Sequence, residues 1–290
     1  MRTLIIGASG QVGRLIFHQL YKTNKTVHGT YLSKQEGSKK YCHKLDVSKY
    51  NDVKRLFEEV APEIVYLAGA ATNVDWCESN SKESYNINVI GTKNVVDLLP
   101  DNATLVFFST DYIFDGAEGL YNEKAAPNPI CQYGEQKLIA EHYILSQGKQ
   151  AYILRTHGVF GHDIQGKNFP MRLVSNLLAN IVIKLPSDEY GTPTYNEDLV
   201  NFAVNGIDSC SPGVYHVAGP DNLCRYKFGL ELARLHKQDA SLIFPTYSSA
   251  ISRPARRPLN GGLTTIHKNL IKTRSFYEIY GDKSNLHYGI

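Results

Sequence analysis

Residues 3–13 read TLIIGASGQVG and contain the clearest structural signal in the chain. The β-branched and aliphatic run Thr3–Ile6 predicts a short strand, and three evenly spaced glycines follow it. Apolar residues then recur at helical intervals over residues 11–22. A strand, a glycine turn and a helix in direct succession predict the first unit of an α/β sheet.

The glycine turn has the Gly-x-x-Gly-x-x-Gly spacing that lets a main chain approach a diphosphate. Gly7 and Gly10 permit a tight turn whose N–H groups face the phosphates, and Gly13 lets the helix pack closely on the strand. The partial positive charge of the helix N-terminus adds to this attraction. The alternative is a turn that merely requires glycines. The residues predicted here to bind a dinucleotide are Gly7, Ser9, Gly10, Gln11, Val12 and Gly13.

Strand and helix patterns alternate through the first half of the chain. Ser48 is expected to cap a helix that stops before Pro62, and a longer helix is expected from about Ser81 to Leu99. This alternation predicts a doubly wound, right-handed parallel sheet. Further strands are predicted at Thr26–Leu32, Ile64–Ala68, Thr104–Ser109 and Ala151–Arg155, and a further helix at Gln132–Ser146.

The alternation loosens after about Gly158. Residues 1–158 are therefore predicted to form a nucleotide-binding domain, and residues 159–290 a smaller C-terminal α/β lobe that supplies the second wall of a cleft. Chain segments are expected to exchange between the two lobes. The elements predicted in the second lobe are helices at 171–180, 196–207 and 225–237 and strands at Ile181–Leu185 and Val214–Ala218.

Composition limits the classes of partner. Hydrophobic residues make up 42% and charged residues 20% of the 290 residues, which argues against disorder. The net charge of +3 does not favour binding to nucleic acid or to a membrane surface. No membrane helix or signal peptide is predicted. The five cysteines show no Cys-x-x-Cys spacing, so we expect reduced thiols in a cytoplasm and no metal site.

The end of the second predicted strand bears on the choice between NAD and NADP. No carboxylate occurs there before Glu36, whereas Ser33 and Lys34 suit a 2′-phosphate. This favours NADP(H) and leaves NAD(H) possible; solvated loop residues are the alternative. Asp46 could accept a hydrogen bond from the adenine amine, or it could be a turn residue. The cofactor-binding residues predicted in this region are Tyr31, Ser33, Lys34, Asp46 and Val47.

Tyr133 and Lys137 form a Tyr-x-x-x-Lys motif at the start of a predicted helix. Their spacing places both side chains on one helix face. An ammonium group lowers the pKa of a nearby phenol, which could then exchange a proton with a carbonyl or an alcohol. The segment 109–112 (Ser-Thr-Asp-Tyr) stands at the end of a buried strand, where doubly wound sheets bind ligands, and a hydroxyl there could orient that carbonyl. The alternative is an exposed helix face.

With these motifs, the sequence resembles the extended short-chain dehydrogenase/reductase family, and within it the dTDP-4-dehydrorhamnose reductase group. The matching segments occur in the family's order over nearly the whole chain. They are GASGQVG (7–13), LAGAATNVDWCE (67–78), NINVIGTKNV (86–95), FFSTDYIFDG (107–116), NPICQYGEQKLIAE (128–141), ILRTHGVFG (153–161), GKNF (166–169), YGTPTYNEDLV (190–200), GVYHVAG (213–219) and RPARRPLNGGL (253–263).

The resemblance implies a Rossmann-type sheet and hydride transfer between NAD(P)H and C4 of a nucleotide-linked 4-keto-6-deoxy sugar. Tyr133 would be the acid, Lys137 would lower its pKa and bind ribose, and Thr110 would hydrogen-bond the carbonyl. Tyr112 stands where related dehydratases carry Glu, which favours reduction. The resemblance adds Ala68, Gly69, Ala71, Asn88 and Ser109 to the cofactor-binding residues. The substrate-binding residues that it implies are Asn73, Asp75, Trp76, Asp111, His157, Asn168 and Arg257.

Several alternatives remain open at this stage. Arg253, Arg256 and Arg257 could bind a diphosphate or could pair with carboxylates of the neighbouring lobe. His157 could carry a proton or simply pack in the cleft, and Gly158 replaces an aromatic residue common in the family. The chain could instead be a regulatory subunit like the methionine adenosyltransferase beta subunit, or a sugar-nucleotide epimerase. A homodimer is possible.

Overall fold

The computed structural model describes residues 1–23, 26–33 and 42–281. The strands are β1 (Arg2–Ile6), β2 (Thr26–Tyr31), β3 (Cys42–Lys44), β4 (Ile64–Leu67), β5 (Thr104–Thr110), β6 (Ala151–Thr156), β7 (Ile183–Pro186), β8 (Tyr190–Gly191), β9 (Gly213–His216), β10 (Leu223–Cys224) and β11 (Ile243–Thr246). The α-helices are α1 (Gln11–Tyr21), α2 (Tyr50–Val60), α3 (Val74–Ser79), α4 (Ser81–Tyr85), α5 (Gly91–Asp97), α6 (Gln132–Ser146), α7 (Phe169–Leu178), α8 (Asn196–Asn201), α9 (Arg225–Leu235) and α10 (Phe276–Gly281).

Seven parallel strands form the main sheet, in the order β3-β2-β1-β4-β5-β6-β9. The chain runs outward from β1 to β3 and then returns to the other side of β1 with β4. The carboxyl ends of β1 and β4 therefore border the point where the strand order reverses, which is where such sheets bind ligands. The predicted doubly wound sheet is confirmed.

Alternating side chains of the central strands bury both faces of the sheet. Ile5 and Val106 pack with α1 and with the helical segment that starts at α8, whereas Leu4 and Leu105 pack with α2, α5 and α6. These four side chains are fully buried. Because both faces are covered, the strands are almost continuously apolar, as buried parallel strands are.

The second half of the chain builds a smaller lobe around an aromatic core. Phe160, Phe228, Phe276 and Tyr280 pack together there, each at most 3% exposed. Two short sheets, β7–β11 and β8–β10, border this core. The chain also returns to the main sheet, since β9 pairs with β6 and α8 packs on α1. The sharp division at residue 158 stays a prediction.

The longer helix expected from about Ser81 to Leu99 is confirmed over residues 81–97, with a π-helical turn at Asn86–Ile90 within it. One local prediction was wrong. Ser48 does not cap α2, because its hydroxyl donates to Asp46 Oδ1 at 2.6 Å and Lys49 occupies the cap position. Within the described part of the chain, no helix combines the length and apolar character needed to cross a bilayer.

Candidate active site

The glycine turn packs tightly against the loop that follows β4. Gly7 has φ of +87°, and a Cβ placed on it would lie 2.6 Å from Cα and N of Gly69. A Cβ on Gly13 would lie 2.3 Å from the Gly7 carbonyl oxygen. Thr30, which the sequence did not single out, accepts a hydrogen bond from the Gly7 N–H at 3.0 Å. The turn therefore has glycine where a side chain cannot fit.

The N-terminus of α1 presents donors without acceptors. Gly10 caps the helix with no side-chain hydrogen bond, and the first turn contains no acidic residue. Gln11 Nε2 and Arg14 Nη1 are buried and have no hydrogen-bond partner among the described residues. Buried donors normally have partners, so these orphaned groups fit an anionic ligand such as a dinucleotide diphosphate. Gln165 also reaches this turn and donates to the Ser9 carbonyl at 2.6 Å.

The residues predicted to contact the adenosine end have mixed surroundings. Tyr31 is half-buried at the end of β2 and Ser33 is exposed, while Lys34 lies outside the described residues. Asp46 Oδ1 accepts hydrogen bonds from the Ser48 N–H at 3.1 Å and from its hydroxyl, as a turn residue does. Val47 packs against Gly91, where a Cβ would lie 2.6 Å from Val47 Cγ2.

Asn88 fixes the loop after β4. It lies in the π-helical turn and is 2% exposed. Its Oδ1 accepts from the Ala71 N–H at 2.9 Å, and its Nδ2 donates to the Ala71 carbonyl at 3.1 Å and to Gln136 Oε1 at 2.9 Å. Ala68 and Gly69 belong to the same loop, beside the glycine turn. Asn88 thus connects this loop to α6.

Tyr133 and Lys137 occupy the first turns of α6 and are 9% and 3% exposed. This burial excludes the alternative of an exposed helix face. Thr110 ends β5, and its hydroxyl accepts from the Tyr112 N–H and donates to Asp111 Oδ1, each at 3.2 Å. The Thr110 hydroxyl is close enough to the phenol of Tyr133 to affect its pKa. The three residues predicted to carry out the chemistry are therefore close together.

The pKa values at this point correct one prediction. Burial raises the pKa of Tyr133, the negative charge of Asp111 raises it further, and the Thr110 hydroxyl acts in the opposite direction. Lys137 was expected to lower the pKa of Tyr133, but the desolvation of the phenol dominates. Burial also lowers the pKa of Lys137 to about 7, against the opposing effect of Glu141. Tyr133 is therefore a protonated phenol at neutral pH.

Ser109 takes part in a buried polar network that the sequence did not reveal. Its hydroxyl donates to Glu141 on α6, and Arg155 binds the same carboxylate through Nε at 3.1 Å and Nη2 at 2.6 Å. His216 adjoins Arg155 at 3.3 Å. The sequence implied that Ser109 contacts the cofactor, but its hydroxyl is committed to Glu141. Only the pairing of β5 with β6 brings these residues together.

A cleft opens between the main sheet and the second lobe. His157 Nδ1 bonds Asp111 Oδ2 at 2.7 Å, and both side chains are buried. A Cβ on Gly191 would lie 2.0 Å from His157 Nε2, so the imidazole packs directly on this glycine. The lining includes Asp111, Tyr112, His157, Glu189, Arg225 and Phe228. Of the predicted substrate-binding residues, Asp111 and His157 line this cleft.

Two other predicted substrate residues cap helices. Asn73 caps α3 by accepting from the Trp76 N–H at 3.0 Å, and Trp76 itself is 38% exposed. Asn168 caps α7 by accepting from the Met171 N–H at 3.1 Å, while its Nδ2 donates to the Gly161 carbonyl at 2.8 Å. The Asn168 amide is thus hydrogen-bonded at both ends within the protein.

The arginines around Pro254 pair with carboxylates, as the structural alternative predicted. Arg257 Nη2 donates to Asp75 Oδ2 at 2.7 Å, and Arg253 donates to Glu189. Arg256 is exposed. The sequence missed Arg225, which lines the cleft. Nowhere in the described ranges do three or more His, Cys, Asp or Glu side chains gather at a distance suited to a metal ion.

A Rossmann-type sheet, a glycine turn at its switch point, and a buried Tyr and Lys one helical turn apart define a short-chain dehydrogenase/reductase. More narrowly, residues 1–278 match the model of the RmlD substrate binding domain, and the chain belongs to this family. The resemblance noted from the sequence motifs is thereby confirmed.

Solved structures and curated relatives agree with this family. A dTDP-4-dehydrorhamnose reductase from Clostridium acetobutylicum is 32% identical, with a TM-score of 0.86 and 96% of each chain covered. A dTDP-4-dehydrorhamnose reductase from Bacillus anthracis, solved in complex with NADP, is 26% identical, with a TM-score of 0.85 and 96% of each chain covered. The methionine adenosyltransferase 2 subunit beta of Xenopus tropicalis is 25% identical over 88% of this chain and 78% of its own length.

Proposed function

We propose that this protein is an NADPH-dependent reductase of the C4 keto group of a nucleotide-linked 4-keto-6-deoxyhexose, similar to dTDP-4-dehydrorhamnose reductase. Such a reaction would serve the synthesis of surface polysaccharide. The observation that carries the proposal is the buried group of Thr110, Tyr133 and Lys137 at the carboxyl end of β5. Asp111 and Tyr112, which follow Thr110 in the chain, line the neighbouring cleft.

The glycine turn and the N-terminus of α1 would hold the diphosphate of the cofactor. Because Gly7 has no side chain, the main chain of the turn can approach the diphosphate closely. The Gln11 amide, which has no partner among the described residues, would supply a donor. Lys137 would bind the nicotinamide ribose. Exposed Ser33 at the end of β2, with Lys34 next to it in sequence, favours NADPH over NADH. When bound, NADPH supplies the hydride that reduces the carbonyl carbon.

Tyr133 would donate the proton that the new alkoxide requires. A proton donor must be protonated before the reaction, and the raised pKa of Tyr133 keeps the phenol in that state. The Thr110 hydroxyl donates to Asp111 in this structure and would turn from it to hold the carbonyl oxygen in place. Lys137 Nζ lies 3.8 Å from the centre of the Phe107 ring, which holds the ammonium beside Tyr133.

The test is NADPH consumption with a dTDP-4-keto-6-deoxy sugar by the wild-type protein and by Tyr133→Phe. Loss of a positioned proton donor lowers rates by about a hundredfold or more, so the variant should be slower by at least that factor. Tyr143→Phe is the matched control, because Tyr143 lies on the same helix but bonds Asp97 near the surface. Equal rates for wild type and Tyr133→Phe would refute the catalytic assignment.

A regulatory subunit is the second candidate, favoured by the match to a methionine adenosyltransferase subunit. Two measurements distinguish the two functions. A regulatory protein would bind NADPH without oxidising it in the presence of any sugar nucleotide, and it would elute with a larger enzyme on size exclusion.

The reductase proposal also implies a cytoplasmic protein, because free thiols stay reduced there. The free thiols include those of Cys77, Cys131, Cys210 and Cys224. A homodimer stays a prediction.

A further inference from the structure

Arg225 is the cation of the cleft that the proposed chemistry does not use. It is the first residue of α9, and its N–H donates to the Glu189 carbonyl at 3.1 Å, which fixes its main chain at the cleft wall. Its side chain is half-buried and lines the cleft together with Tyr112 and His157. Arg225 therefore shares a cleft wall with residues that follow Thr110 and β6 in the chain.

The neighbouring charges are already paired with one another. Asp111 bonds His157, and Glu189 bonds Arg253. On the other side, Asp75 bonds Arg257. In the ranges 1–23, 26–33 and 42–281, Arg225 forms no ion pair with a carboxylate. The guanidinium of Arg225 is thus available to a ligand in the cleft.

The guanidinium of Arg225 is also held in position. Its Cζ lies 4.9 Å from the centre of the Phe169 ring, within the range of a cation–π contact. Its Nη2 would lie 3.9 Å from a Cβ on Gly158. Since Gly158 has no side chain, the space next to the guanidinium stays free. A planar fork stacked on one side and open on another is a suitable receptor for an oxyanion.

We propose that Arg225 binds the diphosphate of the substrate in this cleft. This inference rests on the proposed function, since it assigns the charge of the substrate that the reductase would accept. Arg253 and Arg257, which the sequence suggested for the diphosphate, hold the cleft wall through Glu189 and Asp75. Arg225, in place of Arg253 and Arg257, is the arginine proposed to bind the anion.

Calorimetry on the NADPH complex tests the proposal, because bound cofactor keeps the probes out of the diphosphate site at α1. The measurements compare dTDP and inorganic pyrophosphate with thymidine. Arg225→Met should weaken the binding of dTDP and pyrophosphate by about tenfold or more, since hydrogen bonds to charged groups contribute at least that factor.

Arg234→Met is the matched control, since Arg234 lies on the same helix but pairs with Glu231 at the surface. It should leave every affinity unchanged, and Arg225→Lys should keep part of the binding. The melting temperature and NADPH affinity of Arg225→Met should equal those of the wild type. If Arg225→Met binds both anions as the wild type does, or if the wild type binds neither of them, the proposal is wrong. NADPH oxidation with a keto sugar separately decides the proposed function.

Discussion

Replacing Gly7 with Ala should lower the stability of the fold and weaken the cofactor site. Gly148→Ala serves as a control that separates the effect of backbone conformation from that of steric contact. Gly7 has φ of +87°, and its Cβ would lie 2.6 Å from two backbone atoms of Gly69. Gly148 has φ of +60°, with no atom within 4 Å of its Cβ. Both variants acquire an unfavourable backbone conformation, but only Gly7→Ala forces two loops apart.

The expected magnitudes follow from this difference. A left-handed conformation costs an L-residue about 1–2 kcal/mol, so Gly148→Ala should lower the free energy of unfolding by that amount. Overpacking adds about 1–3 kcal/mol, so Gly7→Ala should lose about 2–5 kcal/mol in total. Gly7 cannot move freely to relieve the contact, because its N–H bonds Thr30 at 3.0 Å and its carbonyl accepts from the Gly10 N–H at 3.0 Å.

Urea unfolding and a fluorescence titration with NADPH measure the two effects. Displacement of Gly7 misaligns the N–H groups of the turn, so Gly7→Ala should weaken NADPH binding by about tenfold or more, the contribution of one hydrogen bond to a charged group. Gly148→Ala should bind NADPH with wild-type affinity. If the two variants lose equal stability and both retain full NADPH affinity, then the contact of Gly7 with Gly69 has no energetic role.

Three further substitutions test the polar groups of the site. Lys137→Met removes a buried cation with a pKa of about 7. The folded wild type holds this proton less tightly than the unfolded chain does, so the free energy of unfolding of the wild type should rise from pH 7 towards pH 10. In urea titrations the variant should lose this rise, and at pH 7 its free energy of unfolding should exceed that of the wild type by about 2–4 kcal/mol. His157→Phe deprives buried Asp111 of its donor and should destabilise the protein by about 2–4 kcal/mol in the same assay, whereas His157→Gln should recover part of the loss. Asn88→Ala removes three hydrogen bonds and should lower the free energy of unfolding by about 2–3 kcal/mol and weaken NADPH binding in a titration.

The elements that could be predicted are those whose signals lie within the element itself. The helix predicted at Gln132–Ser146 has these bounds in the structure, and the strand predicted at Thr104–Ser109 extends by one residue. A continuous apolar run identifies a strand buried on both faces without knowledge of its neighbours. The motif of Tyr133 and Lys137 was also local, because helical spacing alone places the two side chains together.

The partners of buried charges could not be predicted, because they are distant in sequence. Arg257 and Asp75 are 182 residues apart, and the pair closes only when the second lobe packs on α3. Asn168 is a different case, since its signal was local and was overlooked. An Asn before a helix with proline in its first turn is a common helix cap. Asn168 was predicted to bind the sugar, although its position before the helix indicated a cap.

The groups that break the ordinary rules of burial are concentrated at the two proposed binding sites. Gln11 and Arg14 leave buried donors without acceptors at the glycine turn, and Lys137 is a cation enclosed beside Tyr133. Arg225 adds a cation of the cleft that has no carboxylate in ion-pair contact among the described residues. A fold selected only for stability would place apolar side chains at such positions, since an unpaired buried donor or charge is unfavourable. Substituting these residues with apolar ones should therefore maintain or raise stability while weakening ligand binding. Residues with a purely structural role would lose both together.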